Sequence, residues 1–131
     1  MAITGECFCG SVTYQINGNL GEGRSCHCSR CRKAFSSQAS AYAEVSPGTF
    51  EWTAGEGLLT TYDSGEGFGH QFCGRCGSTL VGIYHGRVHG ITLGCVNGDP
   101  GVKIGMHIYV GSKAPWEVIP EGVTRFEEGP G

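Results

Sequence analysis

Seven of the eight cysteines stand in three short clusters whose spacing is typical of metal ligands. The clusters are Cys7 and Cys9 in CFC, Cys26, Cys28 and Cys31 in CHCSRC, and Cys73 and Cys76 in CGRC. Thiols can also form disulfides, exchange electrons or pack as small apolar groups. The use of these cysteines therefore depends on how the chain brings the clusters together.

The CxC and CGRC clusters together offer four thiols. On an extended strand, residues i and i+2 point to one side, so Cys7 and Cys9 can direct both sulfurs to one point. We expect the two glycines of CGRCG to form a tight, partly left-handed turn that lets Cys73 and Cys76 grip the same ion. Four thiolates favour zinc, although this spacing also suits iron. Such a site has no position for a substrate, so we interpret it as structural.

Cys26, Cys28 and Cys31 form a second set. Three protein ligands leave one position of a tetrahedral site for water or substrate, which is the pattern of a catalytic zinc. Two alternatives stay open: Cys95 or His27 closes the site as a fourth ligand, or Cys28 and Cys31 are a redox pair. Because side chains alternate along an extended segment, His27 should point away from its cysteine neighbours. We interpret Cys95 as a packed thiol.

Short strands and tight turns must position these thiols. SVTYQI at 11–16 alternates polar and apolar residues, as a half-buried strand does. Further strands are predicted at 36–45, 49–55, 57–63, 89–96 and 106–112, and Gly, Asn, Pro and Ser separate most of them. At most one helical turn is expected, around Ser29 to Phe35. We interpret GEGRS at 21–25 as a turn and FEEGPG at 126–131 as a frayed tail, and we predict a mainly β fold.

The length and charge of the chain restrict its class. A chain of 131 residues fits a single domain with one modest core. Its formal net charge of −3 argues against a nucleic-acid binder, since such domains are usually basic. No secretory signal and no apolar run of about 18 residues is visible, so we expect a cytoplasmic protein without membrane contact. A reducing cytosol disfavours a disulfide framework.

Four segments occur in an order that resembles the family of glutathione-dependent formaldehyde-activating enzymes: CFCGSVTY, CHCSRCRK, FCGRCGSTL and HIYVGSKAPWEVIP. The resemblance covers residues 4–126, and implies that 1–131 is one zinc-binding domain with a β-tent fold of short antiparallel strands. It places a structural zinc on Cys7, Cys9, Cys73 and Cys76, and a second zinc on Cys26, Cys28 and Cys31. This partition agrees with the one that the spacing indicates.

The resemblance implies that glutathione and formaldehyde are joined to give S-hydroxymethylglutathione, which in reverse is a carbon–sulfur lyase reaction. The partners would then be a small-molecule thiol such as glutathione and an aldehyde. Arg30, Arg32 and Lys33 stand beside the second cluster and could hold the carboxylates of an anionic thiol. They could equally do no more than balance the charge of a metal–thiolate site.

Two other functional classes compete with this interpretation. One is a non-catalytic, zinc-stabilised binding module of the same fold, in which a fourth ligand closes the second cluster. The other is a CxxC thiol oxidoreductase, which needs a reversible disulfide between Cys28 and Cys31. The chain is shorter than the enzyme that gives the family its name, and in ITLGCVNGDPG it has Cys95 where relatives often have Thr. Fold and zinc therefore transfer more safely than the substrate does.

Overall fold

The computed structural model describes residues 2–130 and contains ten short strands in that part of the chain. The strands are β1 (Ile3–Glu6), β2 (Thr13–Ile16), β3 (Gly23–Cys26), β4 (Tyr42–Glu44), β5 (Phe50–Ala54), β6 (Leu59–Asp63), β7 (Phe68–Cys73), β8 (Thr79–Tyr84), β9 (Arg87–Thr92) and β10 (Ile104–Ile108). One helix, α1 (Ser29–Phe35), follows β3, and short 3₁₀ turns lie at Glu56–Leu58, Leu93–Cys95 and Val110–Ser112. None of these helices is long and apolar enough to cross a membrane.

The strands form two sheets. A small sheet has the order β1-β2-β5, and a seven-stranded sheet has the order β10-β3-β4-β9-β8-β7-β6. Among the named strands, every pairing is antiparallel except that of β10 with β3. The predicted mainly β class is thus confirmed.

A single buried cluster of side chains joins the two sheets. Tyr14 and Ile16 of β2 are almost fully buried with Val81 of β8 and Ile91 of β9. The burial of alternate residues in β2 follows the predicted alternation. The small sheet therefore packs on one face of the large sheet.

The prediction of individual strands was incomplete. The extended strand expected at Cys7 and Cys9 was wrong, because β1 ends at Glu6 and these cysteines lie in a turn, and β7 and β8 were not predicted. The interpretation of GEGRS as a turn was also wrong, because Gly23–Cys26 forms β3 between β10 and β4. The predicted strand at 36–45 is reduced to Tyr42–Glu44, and the one at 89–96 ends at Thr92 before a 3₁₀ turn. Strands as short as β3 and β4 depend on their neighbours for pairing, which local sequence does not reveal.

The tail after β10 is also ordered by hydrogen bonds, so the prediction of a frayed tail was wrong for its described residues. The Phe126 N–H donates to the carbonyl of His107 at 2.9 Å, and the Val110 N–H donates to the carbonyl of Phe126 at 3.1 Å. Residues that follow the sheet edge in this way satisfy backbone groups that would otherwise need water. The tail thereby becomes a support for β10, which pairs with β3.

Candidate metal centres

The first cluster lies where the end of β1 meets the turn between β7 and β8. The sulfurs of Cys7, Cys9, Cys73 and Cys76 all lie within 4.8 Å of one another. The Cys7 and Cys9 sulfurs are 3.6 Å apart, and those of Cys9 and Cys73 are 3.8 Å apart. A tetrahedral ion with metal–sulfur bonds of about 2.3 Å requires sulfur–sulfur distances of about 3.8 Å. The donor set therefore fits one zinc-sized ion.

Backbone N–H groups point at the sulfurs of this first cluster. The Val12 N–H lies 3.3 Å from the Cys7 sulfur, and the Arg75 N–H lies 3.4 Å from the Cys73 sulfur. The Ser78 side chain and backbone lower the pKa of Cys76 to about 5. Donors that favour the thiolate also favour metal binding, because the thiolate is the ligand.

The predicted turn in CGRCG is left-handed at one of its two glycines. Gly77 has φ +81°, as a tight turn requires. Gly74 is not left-handed; its N–H donates to the Leu58 carbonyl at 2.8 Å, and a Cβ there would lie 2.9 Å from that oxygen. The two glycines are thus needed for different reasons, a backbone conformation and a close approach.

The second cluster is built at the corner between β3 and α1. Cys26 ends β3 and is buried, Cys28 is the N-cap of α1, and Cys31 lies one turn into the helix. The Cys31 N–H donates to the Cys28 sulfur at 3.3 Å. The three sulfurs lie within 4.8 Å of one another, and no fourth His, Cys, Asp or Glu in residues 2–130 joins them.

Hydrogen bonds divide the thiols of this second cluster into different protonation states. The hydrogen bond from Cys26 lowers the pKa of Cys31 to about 6, with smaller contributions from Cys28 and Ser40. The same hydrogen bond, followed by burial, raises the pKa of Cys26. Ser40 also fixes the backbone, since its hydroxyl accepts from the Cys26 N–H at 3.1 Å. Without a metal, Cys31 is therefore the thiol of this pair that ionises more readily.

Neither candidate for a fourth ligand reaches the second cluster. His27 is 1% exposed, and its ring turns to β10, where Nε2 lies 3.0 Å from Nδ1 of His107. Cys95 is half-buried against the core, and its sulfur lies 3.6 Å from the Thr79 carbonyl. Among the described residues, the second cluster thus has three protein ligands to offer.

The three predicted cationic contacts have different surroundings. Arg30 pairs with Glu66 of the β6–β7 turn at 3.5 Å, and both side chains are mostly exposed. Lys33 is exposed. The Nε of Arg32 is buried and has no hydrogen-bond partner within residues 2–130. Arg32 therefore has the least satisfied donor of the three.

Sequence reasoning missed two side chains beside the second cluster. Arg24 stands two residues before Cys26 on β3 and therefore shares its face of the sheet, and the register pairs Arg24 with Tyr42 of β4. Burial raises the pKa of Tyr42, Arg24 partly opposes this increase, and the neighbouring Cys26 and Cys31 add a little to it. Arg24 also contacts Glu44 at 3.3 Å. No local pattern signals this pairing, because it depends on the register of two strands.

Two glycines lie next to Glu44 on this face of the sheet. Gly90 pairs in register with Glu44 on one side and with Gly82 on the other, and Gly82 pairs with His70. Side chains of directly paired residues lie on the same face, so the two glycines place no side chain between Glu44 and His70.

The fold and the two cysteine clusters define a mainly β protein that can bind metal ions on thiolates. Residues 2–112 match the family model described as "Glutathione-dependent formaldehyde-activating enzyme", and the chain belongs to that family. The resemblance seen in the sequence motifs is thereby confirmed.

The other comparisons add the fold. No curated protein matches the chain. A solved structure of a Rhodobacter sphaeroides protein, a structural genomics target, matches it with a TM-score of 0.58 and 24% sequence identity. The match covers 73% of this chain and 89% of that chain. At this identity the similarity shows a shared fold and nothing about substrates.

Proposed function

We propose that this protein is a zinc-dependent carbon–sulfur lyase that interconverts S-hydroxymethylglutathione with glutathione and formaldehyde. Membership of the family supports chemistry between glutathione and formaldehyde. The observation that carries the proposal is the second cluster, where three thiols converge and no fourth protein ligand within residues 2–130 joins them. Three ligands suit a catalytic site better than a closed structural one.

Zinc would be held at both clusters in this proposal. Cys7, Cys9, Cys73 and Cys76 would bind the structural ion, which the sulfur–sulfur distances of 3.6 and 3.8 Å fit. Cys26, Cys28 and Cys31 would bind the second ion. When bound there, zinc would keep an incoming thiol deprotonated at neutral pH, where a free thiol with a pKa of about 8.5 is mostly protonated.

The surrounding residues would orient the substrates. Ser40 and the N-terminal turn of α1 hold the three thiols in place. Tyr42 offers a phenol, which is protonated at neutral pH as in any tyrosine, and burial raises its pKa further. It could therefore donate a hydrogen bond to the aldehyde oxygen as negative charge develops on it.

The carboxylates of glutathione would meet cations near the second cluster. Arg32 has a buried Nε without a protein partner within residues 2–130, which supports a role for it in binding an anion. Arg30 would first have to exchange its contact with Glu66. Lys33 is exposed and would act mainly by long-range attraction.

The reaction also proceeds without a catalyst, so the decisive measurement is the rate of exchange. We would measure, by NMR exchange spectroscopy, how fast the adduct interconverts with its components in the presence of wild-type protein, Cys28→Ala and Cys95→Ser. Wild type and Cys95→Ser should accelerate the exchange, and Cys28→Ala should not. Cys95→Ser is the matched control because Cys95 lies outside both clusters.

Three results would overturn the lyase proposal. Exchange that is unchanged by wild-type protein loaded with two zinc ions would remove the catalytic role, and binding of the adduct without acceleration would favour the binding module. A reversible Cys28–Cys31 disulfide that is required for activity would instead favour the oxidoreductase. The lyase proposal itself implies a reducing cytosol, where all eight cysteines remain free as they are in the structure.

A further inference from the structure

His27, which is buried, and His107, which is partly buried, form a hydrogen-bonded pair directly behind the second cluster. The His27 Nε2 lies 3.0 Å from the His107 Nδ1, and the two residues are 80 positions apart in the chain. The ring centroids are 5.2 Å apart. His27 is 1% exposed and stands between Cys26 and Cys28. The pair therefore connects the middle of the CHC sequence to β10.

The backbone holds His107 in place from both sides. The His27 N–H donates to the Ile108 carbonyl at 2.9 Å, which continues the parallel pairing of β3 with β10. On the other side, the His107 N–H donates to the Thr124 carbonyl at 2.8 Å, and the Phe126 N–H donates to the His107 carbonyl at 2.9 Å. Backbone hydrogen bonds thus hold His107 in place, and the His27 ring hydrogen-bonds to its side chain.

The surroundings favour one tautomer of the pair. The His27 Nδ1 is buried and has no hydrogen-bond partner within the described residues. If that atom carried the proton, a buried N–H would be orphaned, which is rarer than an unpaired acceptor. The favoured arrangement therefore has the His27 Nε2–H donating to Nδ1 of His107, which then carries its own proton on Nε2.

The geometry points to His107 as a positioning residue for the second cluster. Cys26 and Cys28 flank His27, so a rotation of the chain about His27 would move both sulfurs at once. By accepting the hydrogen bond from His27, His107 fixes this rotation and keeps the two sulfurs directed towards Cys31. The inference rests on the proposed function in one respect, namely that the second cluster binds a metal.

The test is the zinc affinity of the second cluster in the full chain, measured by competition with a chromophoric chelator. His107→Leu removes the acceptor and should weaken binding at this cluster by about 10- to 100-fold, the usual effect of losing a residue that orients a ligand. His107→Asn keeps an acceptor near the position of Nδ1 and should retain most of the affinity. Zinc binding at the first cluster should be the same in all three proteins.

Two controls make the affinities specific. Cys28→Ala identifies which binding step belongs to the second cluster. Ile16→Val shortens a fully buried side chain of β2, away from β3, and reports what a general loss of packing does to the affinity. A His107→Leu affinity within about twofold of wild type, an equal loss in Ile16→Val, or a failure of His107→Asn to rescue would each overturn the inference.

A second measurement applies even if His107→Leu does not fold. Long-range proton–nitrogen NMR spectra of the wild-type histidine rings should show both rings protonated on Nε2, and a His27 proton on Nδ1 would overturn the inference. If wild type binds no zinc at the second cluster, both the proposed function and this inference are wrong. If His107→Leu loses zinc but wild type does not accelerate adduct exchange, only the proposed function is wrong.

Discussion

Within each cluster, hydrogen bonds decide which sulfur ionises first. In the second cluster that sulfur belongs to Cys31, whose pKa is lowered to about 6, whereas burial raises the pKa of Cys95. After chelation of the second ion, iodoacetamide should therefore label Cys31 well below pH 8, with a midpoint near pH 6. Mass spectrometry of the labelled peptides measures both sites.

Two comparisons make the labelling result informative. Cys95, at its raised pKa, should react only in more alkaline solution. Zinc should protect Cys31, because a coordinated thiolate is not free to react. Equal labelling of Cys31 with and without zinc would contradict its assignment to the second centre.

A single ligand of the first cluster should matter far more for stability than the eighth cysteine does. Cys9→Ser removes one of four converging sulfurs, whereas Cys95→Ser changes a thiol outside both clusters. Structural zinc contributes several kcal/mol or more to folding, so Cys9→Ser should lower Tm by about 10 °C or more. Thermal unfolding followed by circular dichroism compares the two, and similar Tm values would contradict a structural role for the first cluster.

Residue spacing was enough to divide seven cysteines into the two groups that the structure brings together. It was not enough to find Tyr42 or the partner of His27. Those contacts depend on strand register and on a parallel pairing with a strand 80 residues later, and a single sequence carries no local trace of either. The alternation rule did predict that His27 turns away from its cysteine neighbours.

Among the secondary-structure elements, the turn after β5 leaves no room for a side chain at its first residue, Gly55. Gly55 has φ +77°, and a Cβ there would lie 2.1 Å from the Ser11 carbonyl oxygen. Gly57 lies in the same turn, and a Cβ added to it would extend into open space. Gly55→Ala should therefore reduce the free energy of unfolding by about 1–3 kcal/mol. Gly57→Ala should change it by less than about 0.5 kcal/mol.

Urea unfolding of the two glycine variants tests this difference. The small sheet depends on the turn, because β5 pairs with β2 up to the bulge at Thr13. Equal stabilities would mean that the backbone at Gly55 relaxes without cost. The pair is well matched, since both variants add one methyl group to the same loop.

Elements whose own sequence shows a hydrophobic periodicity or a recognisable motif were predictable. Strands that depend on pairing with distant strands were not. SVTYQI shows the alternation of β2, and the helical turn expected at Ser29 to Phe35 is α1. β3 has only four residues, GRSC, and owes its strand conformation to β10 and β4 on either side. Its pairing with β10 could not be inferred from its own residues.

For the whole molecule, one buried and two partly buried histidines predict a loss of stability in acid. Burial lowers the pKa of His27, His70 and His107. The unfolded chain then binds protons near pH 6.5 that the folded chain resists, so the free energy of unfolding should be constant above that pH and decrease below it. Urea midpoints between pH 7.5 and 5.5 measure the effect.

Acid also protonates thiolates and releases metal. A comparison of variants is therefore needed to isolate the histidine contribution to the loss of stability. His107→Asn removes one of the three groups, and its stability should fall less steeply between pH 7 and 5.5 than that of wild type. An identical slope would show that thiol protonation alone accounts for the acid sensitivity.

Loss of metal should lower the stability of the fold to a different extent at the two clusters. Cys9 and Cys73, whose sulfurs are 3.8 Å apart, are 64 residues apart in sequence, whereas the second cluster lies within one corner of the chain. Metal bound at the first cluster would close a long loop and join the two sheets. Stepwise chelation should therefore show that loss of the ion at the second cluster changes Tm little, whereas loss of the ion at the first cluster lowers Tm strongly. The opposite pattern would contradict this assignment.

His107 and the tail that hydrogen-bonds to it lie late in the chain, so they are synthesised after both cysteine clusters. Cys76, the last ligand of the first cluster, is translated about 30 residues before His107, and the tail that braces His107 follows later still. If the first cluster binds an ion, a nascent chain could acquire it while the partner of His27 has yet to emerge. The direction of translation would then set an order of metal loading, with the second cluster completed last.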